Sequence, residues 1–297
     1  MIQSVCTIKI NGQGKELIEH GTPLFPVDCC YDDLTVASVP WHWHDELEAL
    51  VVSEGTAVVA AEARQFTLKQ GDGCFINSGV LHGAWAADFS ACRFHSVVFH
   101  PRLVGAGVDS VFWLRYVQPL MENRAISMSL FDGSAPWHGE ANRAIEAAWQ
   151  SLTREPEGYE FQVRQALSQL VFLLSAASPP TDAVPSERAL RNDRRIKQML
   201  QYIHEHYGEN LTAADIAQAA SVSESECLRC FRHAINASPS QYLKQFRVQK
   251  AAELLKSSSL PTADIGSLCG FQDASYFAKT FRNLTGQTPS AYRKRFS

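Results

Sequence analysis

Two histidines and a glutamate lie close together in the segment WHWHDELEALVVSEG, which begins at Trp41. Imidazole nitrogens and a carboxylate suit first-row transition metals, and an open coordination position would permit dioxygenase or isomerase chemistry. The same groups can instead hydrogen-bond a sugar or a similar small molecule. On a strand, His42, His44 and Glu48 are separated by even numbers of residues and therefore point to one side. The spacing indicates one shared polar site and leaves its chemistry open.

The segments around this site are predicted to form short strands. Up to about residue 100, β-branched and aromatic runs such as TAVVAA and RFHSVVFH alternate with glycine, aspartate and asparagine. Many short strands at this spacing favour a sandwich or a barrel. From about Glu140 the apolar spacing becomes helical, which predicts helices at about 140–153 and 159–176 with a break at 155–158.

A proline-rich stretch, SAASPPTDAVPSER from Ser175, predicts a linker. Residues 1–190 contain 12 Lys and Arg against 22 Asp and Glu, whereas residues 191–297 contain 15 against 9. We therefore expect only the last third, at a formal charge of +6, to meet a polyanion. The predicted domains are a β-barrel at 1–135, a helical dimerisation or connector segment at 136–176, the linker at 177–190 and a helical unit, starting near Asp193, at 191–297.

The eight cysteines show no framework of paired spacings, and Cys227-Leu-Arg-Cys230 has no second pair to complete a zinc site. Such cysteines are typical of a reducing compartment, where they act as small buried apolar groups. The segment MIQSVCTIKINGQGK lacks the features of a signal peptide, and no stretch approaches the roughly 18 apolar residues that cross a bilayer. We expect a cytoplasmic protein without a membrane partner.

The last third contains an internal repeat. The segment LTAADIAQAASVSESECLRCFRHAINASPSQYL from Leu211 aligns with LPTADIGSLCGFQDASYFAKTFRNLTGQTPSAYR from Leu260. Each copy predicts a short helix, a tight turn and a longer helix, which is a helix-turn-helix whose second helix can enter a major groove. Gly270 can take a positive φ at the second turn, where the first copy has Ser221. A connecting helix of roughly 17 residues, about 25 Å long, separates the copies.

The last 105 or so residues resemble the DNA-binding domain of AraC/XylS-type transcription regulators, in FRVQKAAELLKSS and above all in the pattern GF…D.SYF…F…G.TPS.YR. The resemblance implies two helix-turn-helix units that read adjacent major-groove segments of double-stranded DNA. Arg229 has the chemistry for a bidentate contact to guanine, while Arg232 and Arg282 suit phosphates. The other residues that the resemblance places on DNA are Ser225 and Leu228 in the first copy, and Ala274, Ser275, Tyr276 and Lys279 in the second.

Three positions depart from that family's pattern without removing a DNA-facing group. Asn236 stands where the second copy has Gly286, and Cys227 replaces a usual leucine. Gly266 replaces a usual alanine, and we expect it to cost its helix up to about 1 kcal/mol.

The first 100 or so residues resemble a cupin, the small β-barrel used for sensing in this regulator family. His42, His44, Glu48 and Gly55 have the spacing of the first cupin motif. The second motif is partial. Its glycines and His82 fit, but Asn77 and Ala86 replace the usual proline and asparagine.

The cupin resemblance implies a complete set of three histidines and one glutamate, formed by His42, His44, Glu48 and His82. The same four residues line an effector pocket if no metal is bound. Three tryptophans are candidate stacking walls for a small organic effector, namely Trp41, Trp43 and Trp85.

Two functional hypotheses follow for this α+β chain. The favoured one is a non-enzymatic, sequence-specific DNA-binding regulator, homodimeric and controlled by a small-molecule effector such as a sugar, with no certain cofactor. The alternative places a divalent transition metal at the four barrel residues, as a metal sensor or as a dioxygenase- or isomerase-type cupin enzyme fused to a DNA-binding domain. A polar cluster with only a structural role is a third interpretation.

Overall fold

The computed structural model describes residues 15–16, 19–35, 38–62, 64–123, 125–177 and 186–296. The chain forms two compact units, which meet along the sequence at Ser186 and Glu187. Cys6 and residues 178–185 of the predicted linker lie outside the described residues. In the described part of the chain, no helix is both long and apolar enough to cross a membrane.

The described residues of the N-terminal unit form two antiparallel sheets. The first has the strand order β1-β8-β3-β6-β9 and the second β2-β7-β4-β5. The strands are β1 (Val27–Asp33), β2 (Val39–His42), β3 (Leu47–Glu54), β4 (Thr56–Ala61), β5 (Arg64–Lys69), β6 (Gly73–Ile76), β7 (His82–Ala86), β8 (Arg93–Phe99) and β9 (Met128–Phe131).

The two faces of the five-stranded sheet bury different partners because successive side chains on a strand alternate. On β3, Leu47, Ala49 and Val51 pack with the helices that cover the sheet. Leu50 and Val52 pack instead with residues of the four-stranded sheet in the barrel interior. Glu48 shares this inward parity, so the strand pattern directs its carboxylate into the barrel.

The helices of the N-terminal unit are α1 (Arg102–Gly105), a π-helical turn (Trp113–Val117), α2 (Gln118–Glu122), α3 (His138–Arg154) and α4 (Tyr159–Ala177). The last two agree with the predicted helical segments, and the break between them is the left-handed Glu155. Their buried apolar residues belong to the core beneath the outer sheet face. The short helices between 102 and 122 were not predicted. They interrupt the stretch assigned to the barrel.

The C-terminal unit consists of α5 (Glu187–His206), α6 (Ala213–Ala219), α7 (Glu224–Ile235), α8 (Pro239–Ser257), α9 (Thr262–Leu268), α10 (Ala274–Thr285) and α11 (Pro289–Lys294). The two helix-turn-helix motifs are α6–α7 and α9–α10, joined by the 19 residues of α8. The predicted start of α5 near Asp193 was wrong by six residues. Consequently its first turn occupies part of the stretch assigned to the linker.

Side chains at the helix starts fix where these helices begin. The hydroxyls of Ser223, Ser238 and Thr288 accept hydrogen bonds from backbone N–H groups in the first turns of α7, α8 and α11. The Asp273 carboxylate does the same for α10. These contacts satisfy N–H groups that have no partner within the helix.

Both turn positions of the repeat adopt the positive φ expected of them, +53° at Ser221 and +81° at Gly270. The expectation that Gly266 merely weakens its helix needs correction. A Cβ there would lie 2.8 Å from Cδ1 of Phe277, so the missing side chain makes room for that ring. The equivalent positions in the first copy hold Ala217 and Cys227, both buried. Gly266 and Cys227 are therefore two related departures from the family's pattern. The second copy has glycine and phenylalanine at the two positions where the first copy has alanine and cysteine.

Candidate metal centre and nucleic-acid interface

Four side chains from both sheets converge inside the barrel. His42 on β2 is paired in register with His82 on β7, His44 follows β2, and Glu48 lies on β3. All four are buried, and one ligand atom from each lies within 4.8 Å of the others. An ion with bonds of about 2.1 Å holds donor atoms up to about 4.2 Å apart, so small inward movements would place these four on one ion. The structure thus brings together the ligand set implied by the cupin resemblance.

Each of the three histidines is oriented by a backbone carbonyl. Nδ1 of His42 lies 2.8 Å from Pro40 O, Nδ1 of His82 lies 2.8 Å from Val80 O, and Nδ1 of His44 lies 3.2 Å from Glu46 O. A carbonyl oxygen only accepts, so each Nδ1 donates and carries the proton. This arrangement is the outer-shell contact that fixes the tautomer of metal-binding histidines and leaves Nε2 for the ion.

Glu48 is the acceptor at the centre of the cluster. Its Oε2 lies 3.0 Å from Nε2 of His82 and 3.3 Å from Nε2 of His44. Burial opposes ionisation of this carboxyl, but the two histidine contacts outweigh burial and hold the pKa of Glu48 well below its usual range. Burial, with the neighbouring charges of His82 and His44, lowers the pKa of His42 well below its usual value. A divalent cation at the centre would replace the protons that these contacts share.

A second carboxylate–histidine pair, missed at the sequence level, lies beside the cluster. The Glu16 backbone N–H donates to Trp43 O at 2.9 Å, and Glu16 Oε2 lies 3.2 Å from His20 Nε2 and 3.9 Å from His42 Nε2. Burial lowers the pKa of His20, but the hydrogen bond and charge of Glu16 outweigh it, so the net shift is upward. The i, i+4 spacing of ELIEH was the only available sequence signal, and that spacing is common.

A narrow cavity is lined by this pair together with residues of β1, β2, β3 and β8. Its volume is about 20 Å³, which is room for about one water molecule. Glu16, His20, His42 and Glu48 contribute to its wall. The other lining residues come from β1, β2 and β8 and are Cys30, Asp32, Val39, Phe94, Ser96 and Val98.

The three tryptophans are not brought to this cavity. Trp41 and Trp43 alternate with His42 and His44 along the chain, so their side chains lie on the other side of the strand. Trp41 and Trp85 contact each other, with ring centroids 6.4 Å apart, while Lys15 lies over the Trp43 ring. The placement gives no support to their predicted role as stacking walls.

Two further positions show how the barrel is held. His95 faces the helices and not the interior, with Nε2 3.1 Å from Glu146 Oε1 and its ring against Trp149. Asn77, which replaces the usual cupin proline, donates from Nδ2 to Leu120 O at 2.8 Å and to Ile126 O at 3.0 Å. It therefore ties the turn before β7 to α2 and to the loop that follows it.

All nine residues predicted to contact DNA are exposed and lie on α7 or α10. On α7, Glu226 lies 3.1 Å from Arg195 and 2.5 Å from Arg229. On α10, which contains no acidic residue, the Lys244 ammonium of α8 lies 5.9 Å from the Tyr276 ring centroid. The second helix of each copy, α7 and α10, thus has an exposed face with polar and basic groups.

The chain matches two protein families along its length. Residues 25–224 match the AraC-like ligand binding domain, and residues 216–295 match a helix-turn-helix domain. The HTH-type transcriptional regulator YdeC of Bacillus subtilis is 30% identical over 94% of this chain and 96% of its own length. The HTH-type transcriptional activator RhaS of Klebsiella pneumoniae is 26% identical over 88% of this chain and 90% of its own. A crystal structure of an apo ToxT variant from Vibrio cholerae covers 94% of this chain and 100% of its own, with 12% identity and a TM-score of 0.48.

Proposed function

The chain belongs to the AraC family of transcription regulators, and we propose that the effector signal it responds to is a divalent transition-metal ion bound by His42, His44, Glu48 and His82. Membership confirms the resemblance to this family found in the tandem repeat. DNA-binding regulation under the control of a ligand-binding domain is the function of this family, and the proposal concerns which ligand the barrel takes.

The observation that carries the proposal is the convergence of three Nε2 atoms whose partner Nδ1 atoms are each held by a backbone carbonyl. Coordination to one ion needs one unprotonated ring nitrogen from each histidine, and the three Nδ1–carbonyl contacts provide it at Nε2. The nitrogen and oxygen donors suit Mn, Fe, Co, Ni, Cu or Zn.

Metal titration of the full chain tests the proposal. After chelator treatment, calorimetric titration with Co²⁺, Ni²⁺ and Zn²⁺ should give one tight site per chain, which His42→Ala and His82→Ala remove. His100→Ala is the matched control because His100 lies in the same unit outside the four-residue cluster. Metal-free chain that binds none of the ions but is stabilised by a small organic molecule would instead support the metal-free effector pocket.

Regulation is tested on DNA that the full chain selects from a random library. Its affinity should differ between metal-loaded and metal-free protein, and the difference should vanish in His82→Ala. If the chain binds the ion but its affinity for DNA is the same in the metal-loaded and metal-free states, the metal is structural.

For the DNA-reading residues, we propose that Arg229 discriminates a guanine and that Arg232 and Arg282 neutralise phosphates. Arg229→Ala should relax the preference at one base pair by about 1–3 kcal/mol. Arg232→Ala should weaken binding to all sequences and reduce the slope of affinity against salt by about one. An unchanged sequence preference in Arg229→Ala would contradict its assignment.

We further propose that the chain works in the cytoplasm as a homodimer and catalyses no reaction on its ligand. The relatives at 30% and 26% identity are transcription regulators, which supports a non-enzymatic role. Light scattering of the full chain, with and without metal, measures the oligomeric state. Turnover of any hydroxyl-bearing substrate by the metal-loaded protein would instead favour the cupin-enzyme hypothesis.

A further inference from the structure

The barrel contains a polar pair that the four-residue metal site does not use. Glu16 and His20 are 7% and 6% exposed, and both line the same cavity as His42 and Glu48. Nδ1 of His20 is buried and makes no hydrogen bond within the described residues. A buried polar atom at the wall of a cavity normally has a partner there, so this atom points to a ligand.

Glu16 is placed beside the ion site and not in its ligand set. Its Oε2 lies 3.9 Å from Nε2 of His42, which is about the separation of two groups that share one ion or one ion-bound water. The four atoms that lie mutually within 4.8 Å nevertheless come from other residues. Glu16 Oε2 is instead held by His20 Nε2 at 3.2 Å.

We propose that Glu16 and His20 form a selectivity pair beside the ion site, which would admit a neutral hydroxyl group or water next to the ion and reject anions. The inference rests on the proposed metal site. A hydroxyl oxygen can coordinate the ion while its proton is donated to the Glu16 carboxylate. An anion lacks that proton and is repelled by the same carboxylate at short range in a buried site.

The remaining wall of the cavity agrees with this selectivity. Asp32 is a third buried acidic residue on the wall, after Glu16 and Glu48, and Ser96 contributes a hydroxyl. No lysine or arginine lines the cavity in the described part of the chain. With a volume of about 20 Å³, the space admits one group about the size of a water molecule next to the ion.

Two small probes of opposite character test the pair on the full chain loaded with Co²⁺. Fluoride is the anion and methanol the neutral hydroxyl, and the paramagnetic ion broadens the NMR line of whichever reaches it. In the native chain methanol should be broadened while fluoride is not. In Glu16→Gln the affinity for fluoride should rise by about ten-fold or more, because a neutral amide replaces the carboxylate beside the ion site.

Glu19→Gln is the matched control, since it removes the same charge from an exposed neighbour of His20 that does not line the cavity. A fluoride affinity in Glu16→Gln within two-fold of the native chain, or an equal gain in Glu19→Gln, would overturn the inference. So would loss of cobalt from Glu16→Gln, which would make Glu16 a ligand. A native chain that takes up no cobalt, by contrast, refutes the metal site itself.

Discussion

In the first copy of the helix-turn-helix a serine occupies the left-handed turn position, and alanine and cysteine occupy two equivalent core positions. In the second copy glycine takes the turn, and glycine and phenylalanine take the core positions. The backbone plan is the same, but the second copy is packed around a large ring and tolerates no added atom at either glycine. The difference shows that residues at equivalent positions of the two copies change together, so that a larger side chain at one position is accompanied by a smaller one at its neighbour.

The largest expected effect is at the second turn. In Gly270→Ser a Cβ would lie 2.6 Å from the Tyr207 carbonyl oxygen and 2.8 Å from the Arg247 guanidinium, at a φ of +81°. Backbone strain and overpacking together should destabilise this copy by about 3 kcal/mol. Hydrogen exchange of the full chain should show faster exchange in α9 and α10 than in α6 and α7.

Gly158→Ser separates the two causes, because Gly158 has a φ of +73° but no atom within 4 Å of its would-be Cβ. It should cost only about 1 kcal/mol. Equal costs at both glycines would show that the contact with Tyr207 is unimportant.

A pH effect is expected where α5 packs against α8. His204 on α5 is stacked on Phe246 and lies 2.5 Å from the Tyr242 hydroxyl, and burial lowers its pKa from 6.5 to about 3. The unfolded chain therefore takes up a proton below pH 6.5 that the folded chain refuses. The contribution of His204 is fully present above 6.5 and is lost as pH falls, by up to about 1.4 kcal/mol per pH unit.

Urea denaturation of residues 186–297, followed by far-ultraviolet circular dichroism across this pH range, measures the slope. The slope should be smaller in His204→Gln than in His206→Gln, which alters a partly exposed side chain on the same helix. An identical slope in all three proteins would assign the acid sensitivity to other groups.

The exchange of core residues gives the third prediction. Gly266→Ala adds a methyl group 2.8–2.9 Å from the Phe277 ring, and its overpacking should exceed the helix-propensity gain and cost about 1–2 kcal/mol. Adding Phe277→Leu should recover part of that loss, so that the double variant is less destabilised than the sum of the single ones. Stabilisation by Gly266→Ala alone, in the same denaturation assay, would contradict this account.

Gly266 also shows which features the sequence does not predict. The repeat, the helices of residues 187–296 and the common side of His42, His44 and Glu48 follow from periodicity, which is a local property. That the glycine accommodates Phe277, or that Glu16 reaches His42, depends on contacts between segments distant in sequence. The short helices between 102 and 122 were missed for a related reason, because their burial depends on residues of α4 and the sheet.

At the first turn the expected effect is smaller and of opposite sign. Ser221 holds a φ of +53°, which costs a residue with a side chain about 1 kcal/mol or less. Ser221→Gly should therefore stabilise the first copy by roughly 0.5–1 kcal/mol. Ser267→Gly, at an exposed position within α9, should destabilise by a similar amount. Two changes of the same sign in urea denaturation would mean that the turn is unstrained.

The smallest effect concerns the charges that the two copies offer to DNA. Glu226 holds Arg229 and Arg195, whereas no ion pair involves Lys279 among the described residues. Glu226→Gln should release both arginines and raise affinity for nonspecific DNA by about three-fold, the scale of an exposed ion pair. Glu224→Gln removes an equal charge from the same helix without releasing an arginine. Salt-dependent fluorescence anisotropy should therefore find the larger gain in DNA affinity in Glu226→Gln. Equal gains in the two variants would mean that the copies differ only in net charge.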